Sequence, residues 1–537
     1  MNKNYIISIV PFVIITSNLM AQMPIYKMPA ENAVHEGTWL QWPHDYTYGS
    51  GYRAYNEPAW IEMTRQLLKG EYVHIIAYNG TEQTHIQTVL TDAGISLDSV
   101  DFYIHPNNDF WIRDNGPVFV TDQDDYLYAT DWNFDGWGND APYSLDNQIP
   151  ALISGDRGIP LLDLSAVTLE GGAVEHDGNG TFMGTLSSIT GDGRNTGLTT
   201  TDIESYMTEY FGFTNFIWLD GYYGAGWDIT DAHIDGFVKF VDENTILTMN
   251  TTDLIYWFVS AADRTKINSA TNVDGDPYNY VYLPLTHKNV KTTDGINTGS
   301  KGDYINYYVA NAVVLVPVYM DVNDATALAT IQTLYPDKEV VGIDSRNMFN
   351  GGGMVHCVTQ QQPFTCAKPR NLVATGITET SAIISWDAIP LTDSYKVTKK
   401  LIGGGISNYT VTDNTITLTG LLPGSTYKIS IKGKCDGTFG AKSLSLTVHT
   451  PGRFGDSDNG TPIDIGIYPN PATDQINILS DHQFTSVEII NVNGIGVAHL
   501  ASTDEPVISI SDFPEGLYIA IIYFDKEFVV RKFIIAR

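Results

Sequence analysis

Residues 351–363 read GGGMVHCVTQQQP and place one cysteine, Cys357, directly after a histidine and shortly behind three glycines. Glycine permits backbone conformations closed to other residues and lets the chain approach a ligand closely. The segment therefore favours Cys357 as a nucleophile. The alternative is that Cys357 is a small buried residue, or half of a disulfide, beside a turn. A lone cysteine needs a histidine and carboxylates elsewhere in the chain to be catalytic.

Suitable partners occur in three clusters upstream. Residues 109–117, DFWIRDNGP, join aromatic residues to Asp114 just before a predicted strand, and Glu170 stands beside two glycines. His233 and Asp235 are two apart in DAHID, so they share one face if the segment is extended. A metal site is the rival interpretation of these residues, but no second histidine stands at ligand spacing from the first.

These residue types suit attack on a planar cation. A guanidinium ion offers N–H donors that match carboxylates in bidentate geometry, and Asp114 and Asp235 would hold it. Cys357 would attack the central carbon as a thiolate, a form favoured by the cationic substrate or by protonated His233. The histidine would then protonate the departing ammonia and activate water, while Glu170 keeps the imidazole oriented.

The composition limits the possible partners. The chain has 537 residues with 62 acidic and 30 basic side chains, a formal charge of −32. This charge argues against nucleic acid and anionic membranes, whose phosphates would repel it, and favours a small cation. Solubility of an exported protein explains the same charge equally simply. The length predicts roughly three or four domains.

Short β-branched runs alternate with amphipathic stretches between residues 28 and 363, which predicts one large α/β domain. The predicted strands include residues 73–78, 117–120, 237–241 and 312–318. The predicted helices are residues 58–68, 82–90, 202–211, 261–270 and 323–335.

The N-terminus predicts a secretory signal peptide over residues 1–21. Lys3 precedes an apolar run at residues 5–15 that is too short to span a bilayer, and Ala21 is a small residue suited to cleavage. A retained membrane anchor is the alternative. No later stretch is long and apolar enough to cross a membrane, so the mature protein is expected to have no membrane span.

Cysteine usage agrees with export. The chain has three cysteines, and Cys366 and Cys435 bracket a small β-rich region. We expect these two to form a disulfide that leaves Cys357 free. A Cys357–Cys366 pair is the alternative and would disable the nucleophile.

Residues 22–364 resemble the guanidino-group-modifying enzymes that include agmatine deiminases and bacterial peptidylarginine deiminases. The similar segments stand in the order of that family: MPAENAVHEGTWLQWPH (28–44), WIRDNGP (111–117), EGGAVEHDGNGT (170–181), HID (233–235), DYINYYVANAVVLVP (303–317) and GGGMVHCVTQQQP. The resemblance implies the pentein fold, an α/β propeller of five ββαβ units with the site in a central channel. It also implies that the catalytic domain uses no metal and no organic cofactor.

The resemblance further implies a role for each candidate residue. The family's nucleophile falls on Cys357, its acid/base on His233, its guanidinium-binding carboxylates on Asp114 and Asp235, its histidine-supporting glutamate on Glu170, and its substrate-channel residues on Trp111 and Asn306.

The substrate is less firmly indicated. The loop DWNFDGWG at 131–138 resembles the agmatine-type loop and lacks the arginines with which peptide-type members hold a carboxylate, and Asp228 and Asp231 could face an amine. We therefore expect hydrolysis of agmatine to N-carbamoylputrescine and ammonia, a reaction of putrescine biosynthesis, through a covalent cysteine thiouronium intermediate. One alternative is a peptidylarginine deiminase that forms citrulline in peptides or proteins. Another is a non-catalytic surface binding protein.

Two β-rich modules are expected to follow. Residues 365–451, with SAIISWD (381–387) and LLPGSTYKISIKG (421–433), resemble a fibronectin type III β-sandwich. Residues 452–462 are a predicted flexible linker. Residues 463–537, with YPNPATDQINI (468–478), resemble the sorting domain of the type IX secretion system. This implies recognition by that machinery and a secreted or outer-surface location; a second adhesive sandwich is the alternative.

Overall fold

A computed structural model describes residues 26–191, 193–222, 228–452, 465–480, 482–492, 495–501, 507–525 and 528–537. The predicted signal peptide and nearly all of the predicted linker lie outside these residues. The chain divides into two compact units, Met1–Gly452 and Arg453–Arg537.

Five small sheets of the first unit share one plan within the described residues. In each, two strands pair antiparallel, and a helix then leads to a third strand that pairs parallel. In spatial order, with the crossover helix in parentheses, they are Gln360–Pro363, His35–Gln41, Tyr72–Ala77 and Val100–Ile104 (Tyr52–Leu67); Tyr26–Lys27, Val118–Asp122, Leu127–Asn133 and Leu161–Thr168 (Ile149–Arg157); Glu175–His176, Thr181–Thr185 and Asn215–Leu219 (Thr200–Phe211); Val238–Asp242, Thr245–Met249 and Asn279–Leu283 (Ala261–Asn268); and Tyr308–Val309, Val313–Val318 and Glu339–Asp344 (Asp324–Leu334).

Short helices and turns connect these sheets. The helices are Gly80–Asp92, Ile112–Asn115, Gly136–Asn139, Leu186–Thr190, Thr251–Tyr256 and Arg346–Asn350, and the 3-10 turns are Asp146–Gln148, Gly171–Ala173, Ile234–Gly236 and His356–Val358.

The ring of five units closes between its first and last strands. Gln360–Pro363 follows Cys357 directly and pairs antiparallel with His35–Gln41, so that Gln360 faces Trp39. The two ends of the catalytic region therefore complete one sheet, and the cysteine is fixed at that junction.

The predicted strands and helices are present with shifted ends. The clearest error is the helix predicted at residues 58–68, which begins at Tyr52 and keeps Pro58 inside it. The prediction started at the proline because proline favours the first helical turn. In the structure Asn56, Trp60 and Met63 are buried along one helix face, and this face continues past the proline.

The fibronectin-like module lies within the first unit. One sheet contains Val373–Thr375, Ser381–Ser385 and Thr415–Thr419, and the other contains Ile406–Val411, Ser394–Leu401, Thr426–Cys435, Thr438–Lys442 and Leu446–His449. Cys366 and Cys435 form a disulfide, with Cα atoms 5.7 Å apart, and Cys357 is free.

The start of this module packs against the catalytic region. Arg370 pairs with Asp122, and its guanidinium carbon lies 3.9 Å from the centroid of the Tyr126 ring. Lys368 Nζ lies 3.2 Å from Asp124 Oδ1. The module is thereby joined to the catalytic region by ion pairs and a cation–π contact as well as by the chain.

The second unit is also a pair of sheets. One contains Ile465–Tyr468, Gln475–Ser480 and Val507–Ser509, and the other contains Gly496–Ala501, Ser486–Asn491, Gly516–Tyr523 and Phe528–Ile535. Alternate residues such as Ile476, Ile489 and Ile522 fill the core between them. Across the described chain, we find no helix with the length and apolarity that a membrane crossing requires.

Candidate active site

Each of the five units contributes one short turn to the candidate site. The turn comes immediately before the first strand of the antiparallel pair, and these turns carry Asp114, Glu170, His233 with Asp235, Asn306, and Cys357. The five turns bring together side chains that are up to 243 residues apart in the sequence, and all but the half-buried Cys357 are buried.

Gly172 marks the point where the charged side chains meet. A Cβ atom at this position would lie 2.5 Å from His233 Nδ1, 2.9 Å from Asp114 Oδ1 and 3.1 Å from Asp235 Oδ2. Only glycine therefore leaves room for the three side chains. Its backbone N–H also donates to Asp114 Oδ1 at 3.0 Å.

The thiol of Cys357 lies beside two of these groups. Sγ is 3.5 Å from Asn306 Oδ1 and 4.0 Å from Asp235 Oδ2. Gly353 lies on the other side, where a Cβ atom would be 2.3 Å from the Trp111 ring and 3.2 Å from Cys357 Cβ. The glycine run thus allows an indole ring to pack directly against the cysteine turn.

The imidazole of His233 is flanked by acids. Nε2 contacts Glu170 Oε2 at 2.8 Å, and Nδ1 lies 3.6 Å from Asp114 Oδ1. Burial disfavours the charged ring, but Asp114, Glu170 and Asp235 outweigh it and raise the pKa of His233 to about 9. The ring is therefore an imidazolium at neutral pH.

The thiol is in the opposite situation. Burial, followed by the charges of Asp235 and Asp114, raises the pKa of Cys357 well above its usual value. Asp235 also resists protonation, because the hydrogen bond and charge of His356 overcome burial and lower its pKa. Without a cation between them, the thiol stays protonated beside an ionised carboxylate.

Asp114 is held by contacts that the sequence analysis did not assign. Trp137 Nε1 donates to Asp114 Oδ2 at 3.0 Å. Trp137 has a positive φ of 57°, a strained conformation for an aromatic residue, and it lies in the loop that resembles the agmatine type. Burial and the charges of Glu170 and Asp235 raise the pKa of Asp114 to about 6.

Arg194 is a second residue missed from the sequence. Its Nε donates to Glu170 Oε1 at 2.7 Å, its Nη1 donates to Asp231 Oδ2 at 2.5 Å, and its side chain is fully buried. A single arginine in the Gly/Asp-rich loop at 191–195 gave no pattern that could reveal this. Asp231 is therefore paired inside the protein, and Asp228 accepts from Thr230 and from the Ala232 backbone N–H.

A third unpredicted cluster lies behind Asp235. His356 Nδ1 contacts Asp235 Oδ2 at 2.8 Å, and its Nε2 contacts Glu31 Oε2 at 2.9 Å. Glu31, Glu175 and His356 present ligand atoms within 4.8 Å of one another, as a metal site would. However, Lys239 Nζ lies 2.7 Å from Glu31 and 3.2 Å from Glu175. An ammonium ion of the protein therefore occupies the position that a metal would take.

Comparison with known proteins defines the class of this site. The agmatine deiminase of Pseudomonas aeruginosa is 29% identical over 363 residues, which are 63% of this chain and 95% of that protein. The structure of the agmatine deiminase of Enterococcus faecalis matches with a TM-score of 0.56 and 26% identity, covering 64% of this chain and 98% of that one. A Porphyromonas gingivalis structure, provisionally named an arginine deiminase, matches with a TM-score of 0.56 and 30% identity over 63% and 98% of the two chains.

These matches confirm the predicted fold class, and with the site they define a hydrolase acting on guanidino carbon–nitrogen bonds. The Porphyromonas-type peptidyl-arginine deiminase family matches residues 27–363, well over half of the chain. The chain belongs to that family.

The two other modules also match known families. A fibronectin type III domain matches residues 367–449. A secretion system C-terminal sorting domain matches residues 466–536. Both resemblances expected from the sequence are confirmed.

Proposed function

We propose that this chain is an exported deiminase that hydrolyses agmatine to N-carbamoylputrescine and ammonia. The observation that best supports the proposal is the convergence of Asp114, His233 and Asp235 on Gly172, with the Cys357 thiol 4.0 Å from one of the carboxylates. A decayed, purely binding domain would have no reason to keep this set intact.

In the proposed mechanism Asp114 and Asp235 grip the guanidinium ion from two sides. Trp137 and the Gly172 N–H hold the first carboxylate, and His356 holds the second. Both acids are thus oriented before the substrate arrives, which reduces the entropy lost on binding.

The covalent step follows from the charge of the substrate. A guanidinium ion between the acids stabilises the Cys357 thiolate, whose proton leaves to solvent. Sγ then bonds to the guanidinium carbon, one C–N bond breaks, and imidazolium His233 gives its proton so that ammonia departs. Neutral His233 next takes a proton from water, whose oxygen adds to the thiouronium carbon. The C–S bond breaks and releases the ureido product.

The charge of the site favours a substrate without a carboxylate. The buried cations in the described part of the chain are Arg113, Arg194 and Lys239. Arg113 donates to the His356 carbonyl and to Gln361, and the other two are paired with acids. None of these three is available to bind a carboxylate. Asp228 and Asp231 are engaged in their own loop, so they lend no support to the predicted amine contact.

Peptidylarginine deimination is the second candidate. It is favoured by the description of the matching family and by a sorting domain that would bring the enzyme to extracellular peptides. Initial rates of ammonia release from agmatine, free arginine, and peptides with internal or C-terminal arginine decide between the two. We expect kcat/KM to be highest for agmatine. A higher value for any arginine peptide would reject the agmatine assignment and support the second candidate.

We also propose the following division of the chain: a signal peptide at 1–21, the deiminase domain at 22–364, the fibronectin-like domain at 365–451, a linker at 452–462, and the type IX sorting domain at 463–537. Mass spectrometry of secreted protein tests this proposal. An N-terminus at residue 22 is expected, whereas retention of residues 1–21 in exported protein would reject signal cleavage.

A further inference from the structure

One sheet of the fibronectin-like module has a lysine-covered outer face. Its strands Ile406–Val411, Ser394–Leu401, Thr426–Cys435 and Thr438–Lys442 contain no acidic residue. The charged residues of these strands are Lys396, Lys399, Lys400, Lys428, Lys432, Lys434 and Lys442. Residues such as Tyr395, Val397, Ile429 and Ile431 are buried, and because side chains alternate along a strand, Lys396, Lys428 and Lys432 point outward.

The strand register places these lysines opposite one another. Lys396 faces Lys432, Lys432 faces Lys442 on the next strand, and Lys400 faces Lys428. Neighbouring strands lie about 4.8 Å apart, and like charges directly opposite each other destabilise a sheet. In the described part of this module, the ion pairs involve Lys368 and Arg370, which lie outside the sheet. The lysine face is thus left without internal compensation.

The face also has the opposite sign to the rest of the protein. Residues 367–449 contain nine basic and five acidic side chains, a formal charge of +4, whereas the whole chain carries −32. In a chain with twice as many acids as bases, a sheet whose charged residues are all lysine is not explained by solubility, which acids would serve equally well.

We propose that this lysine face binds an acidic polysaccharide, a sugar polymer that bears carboxylate or sulfate groups. The neighbouring outward positions carry Thr398 and Asn408, whose polar groups suit sugar hydroxyls. Phe439 is 45% exposed and lies between Lys396 and Lys434, with both ammonium groups about 6 Å from its ring, as the distances of 5.8 and 6.0 Å show. An exposed ring beside cations offers a stacking surface for a sugar.

The charge of the remaining chain selects this partner over other polyanions. Duplex DNA has one charge per about 1.7 Å, and an anionic bilayer is a wide plane, so each would repel the acidic catalytic region that packs beside the module. A thin polymer with sparser charges interacts with the lysine face alone. Binding would hold the deiminase at a polysaccharide layer without involving its active site.

Binding is tested with the full mature chain and immobilised heparin or polygalacturonate. We expect binding at 50 mM NaCl that weakens as salt rises, and no binding to neutral dextran. In the variant Lys396→Gln/Lys432→Gln/Lys442→Gln we expect at least about a tenfold loss of affinity, since each lysine near an anionic surface contributes on the order of a fivefold change. Unchanged deiminase activity would show that the variant is folded.

The matched control is Lys69→Gln/Lys288→Gln/Lys291→Gln, which removes the same charge from exposed lysines of the catalytic region. It should bind like the unmodified chain. Equal affinity of the two variants, or no binding to either polysaccharide at low salt, would overturn the proposal. Tighter binding to duplex DNA or to phosphatidylserine vesicles, or dimerisation through this face in ultracentrifugation, would also overturn it in favour of that partner.

Discussion

Cys357 Sγ lies 4.0 Å from Asp235 Oδ2, so the free thiol shares a buried site with a carboxylate that is kept ionised. The negative charge stabilises a guanidinium ion and opposes a thiolate. The same aspartate therefore binds the substrate and keeps the nucleophile protonated until the substrate cation arrives.

Replacing the thiol tests the covalent mechanism. In Cys357→Ala we expect ammonia release from agmatine to fall by at least about 1,000-fold, because the nucleophile is lost while the carboxylates remain. Agmatine should still protect this variant against heat. Activity within about tenfold of the unmodified enzyme would reject covalent catalysis.

The pH dependence of kcat/KM should be bell-shaped. Asp114, whose pKa burial and nearby acids raise to about 6, must be ionised, so activity rises as the pH passes 6. His233, whose pKa its acidic neighbours raise to about 9 against burial, must be protonated, so activity falls as the pH passes 9. Initial rates between pH 5 and 10 measure both limbs.

Asp109 provides the control for the acid limb. Burial raises its pKa to about 6 as well, and its carboxylate accepts from Trp111 Nε1. Asp109→Asn should leave the acid limb in place if Asp114 is the titrating group. Disappearance of the limb in this variant would assign it to Asp109 instead.

Gly172→Ala should disrupt the site from its centre. The added methyl would lie 2.5 Å from His233 Nδ1, so we expect a large loss of kcat together with about 1–3 kcal/mol of destabilisation from overpacking. Gly155→Ala is the control, because its Cβ meets nothing within 4 Å and alanine stabilises a helix by about 0.5–1 kcal/mol. Normal kcat in Gly172→Ala would contradict this geometry.

Arg194 is predicted to position His233 through Glu170. Arg194→Met leaves two buried acids without their cation, and we expect about 3–5 kcal/mol of destabilisation. We further expect kcat to fall at least about tenfold with little change in KM, because the guanidinium clamp stays intact.

The control is Arg346→Gln, which breaks a partly exposed pair with Asp344 and should cost less than about 1 kcal/mol. A merely structural role for Arg194 would lower Tm and leave kcat per folded molecule unchanged, which contradicts the positioning role.

The Cys366–Cys435 bridge should stabilise the fibronectin-like module. Its loop spans 69 residues, and removing it with Cys366→Ser/Cys435→Ser should cost about 2–5 kcal/mol in thermal unfolding while deiminase activity remains. Peptide mapping without reductant checks the pairing directly. A bridge from Cys357 to either cysteine would contradict the free nucleophile.

The sequence by itself determined the fold class and the candidate residues, because each of these lies in a short segment of unusual composition. Cys357 stands in a glycine run, His233 and Asp235 are two apart, and Glu170 adjoins glycines. Residue type and local spacing are sufficient to recognise such segments. Helix ends were less well predicted, as Pro58 shows, since packing rather than local propensity fixed the start of that helix.

Only the tertiary structure decided which groups support these residues. Arg194, Trp137 and Glu31 lie 24, 23 and 325 residues from the site groups that they hold, and each is an ordinary residue in its own segment. Their roles arise because burial removes water, so a charge or hydrogen bond at close range outweighs everything that the sequence places nearby. The lysine face likewise exists only once strand register sets separate lysines side by side.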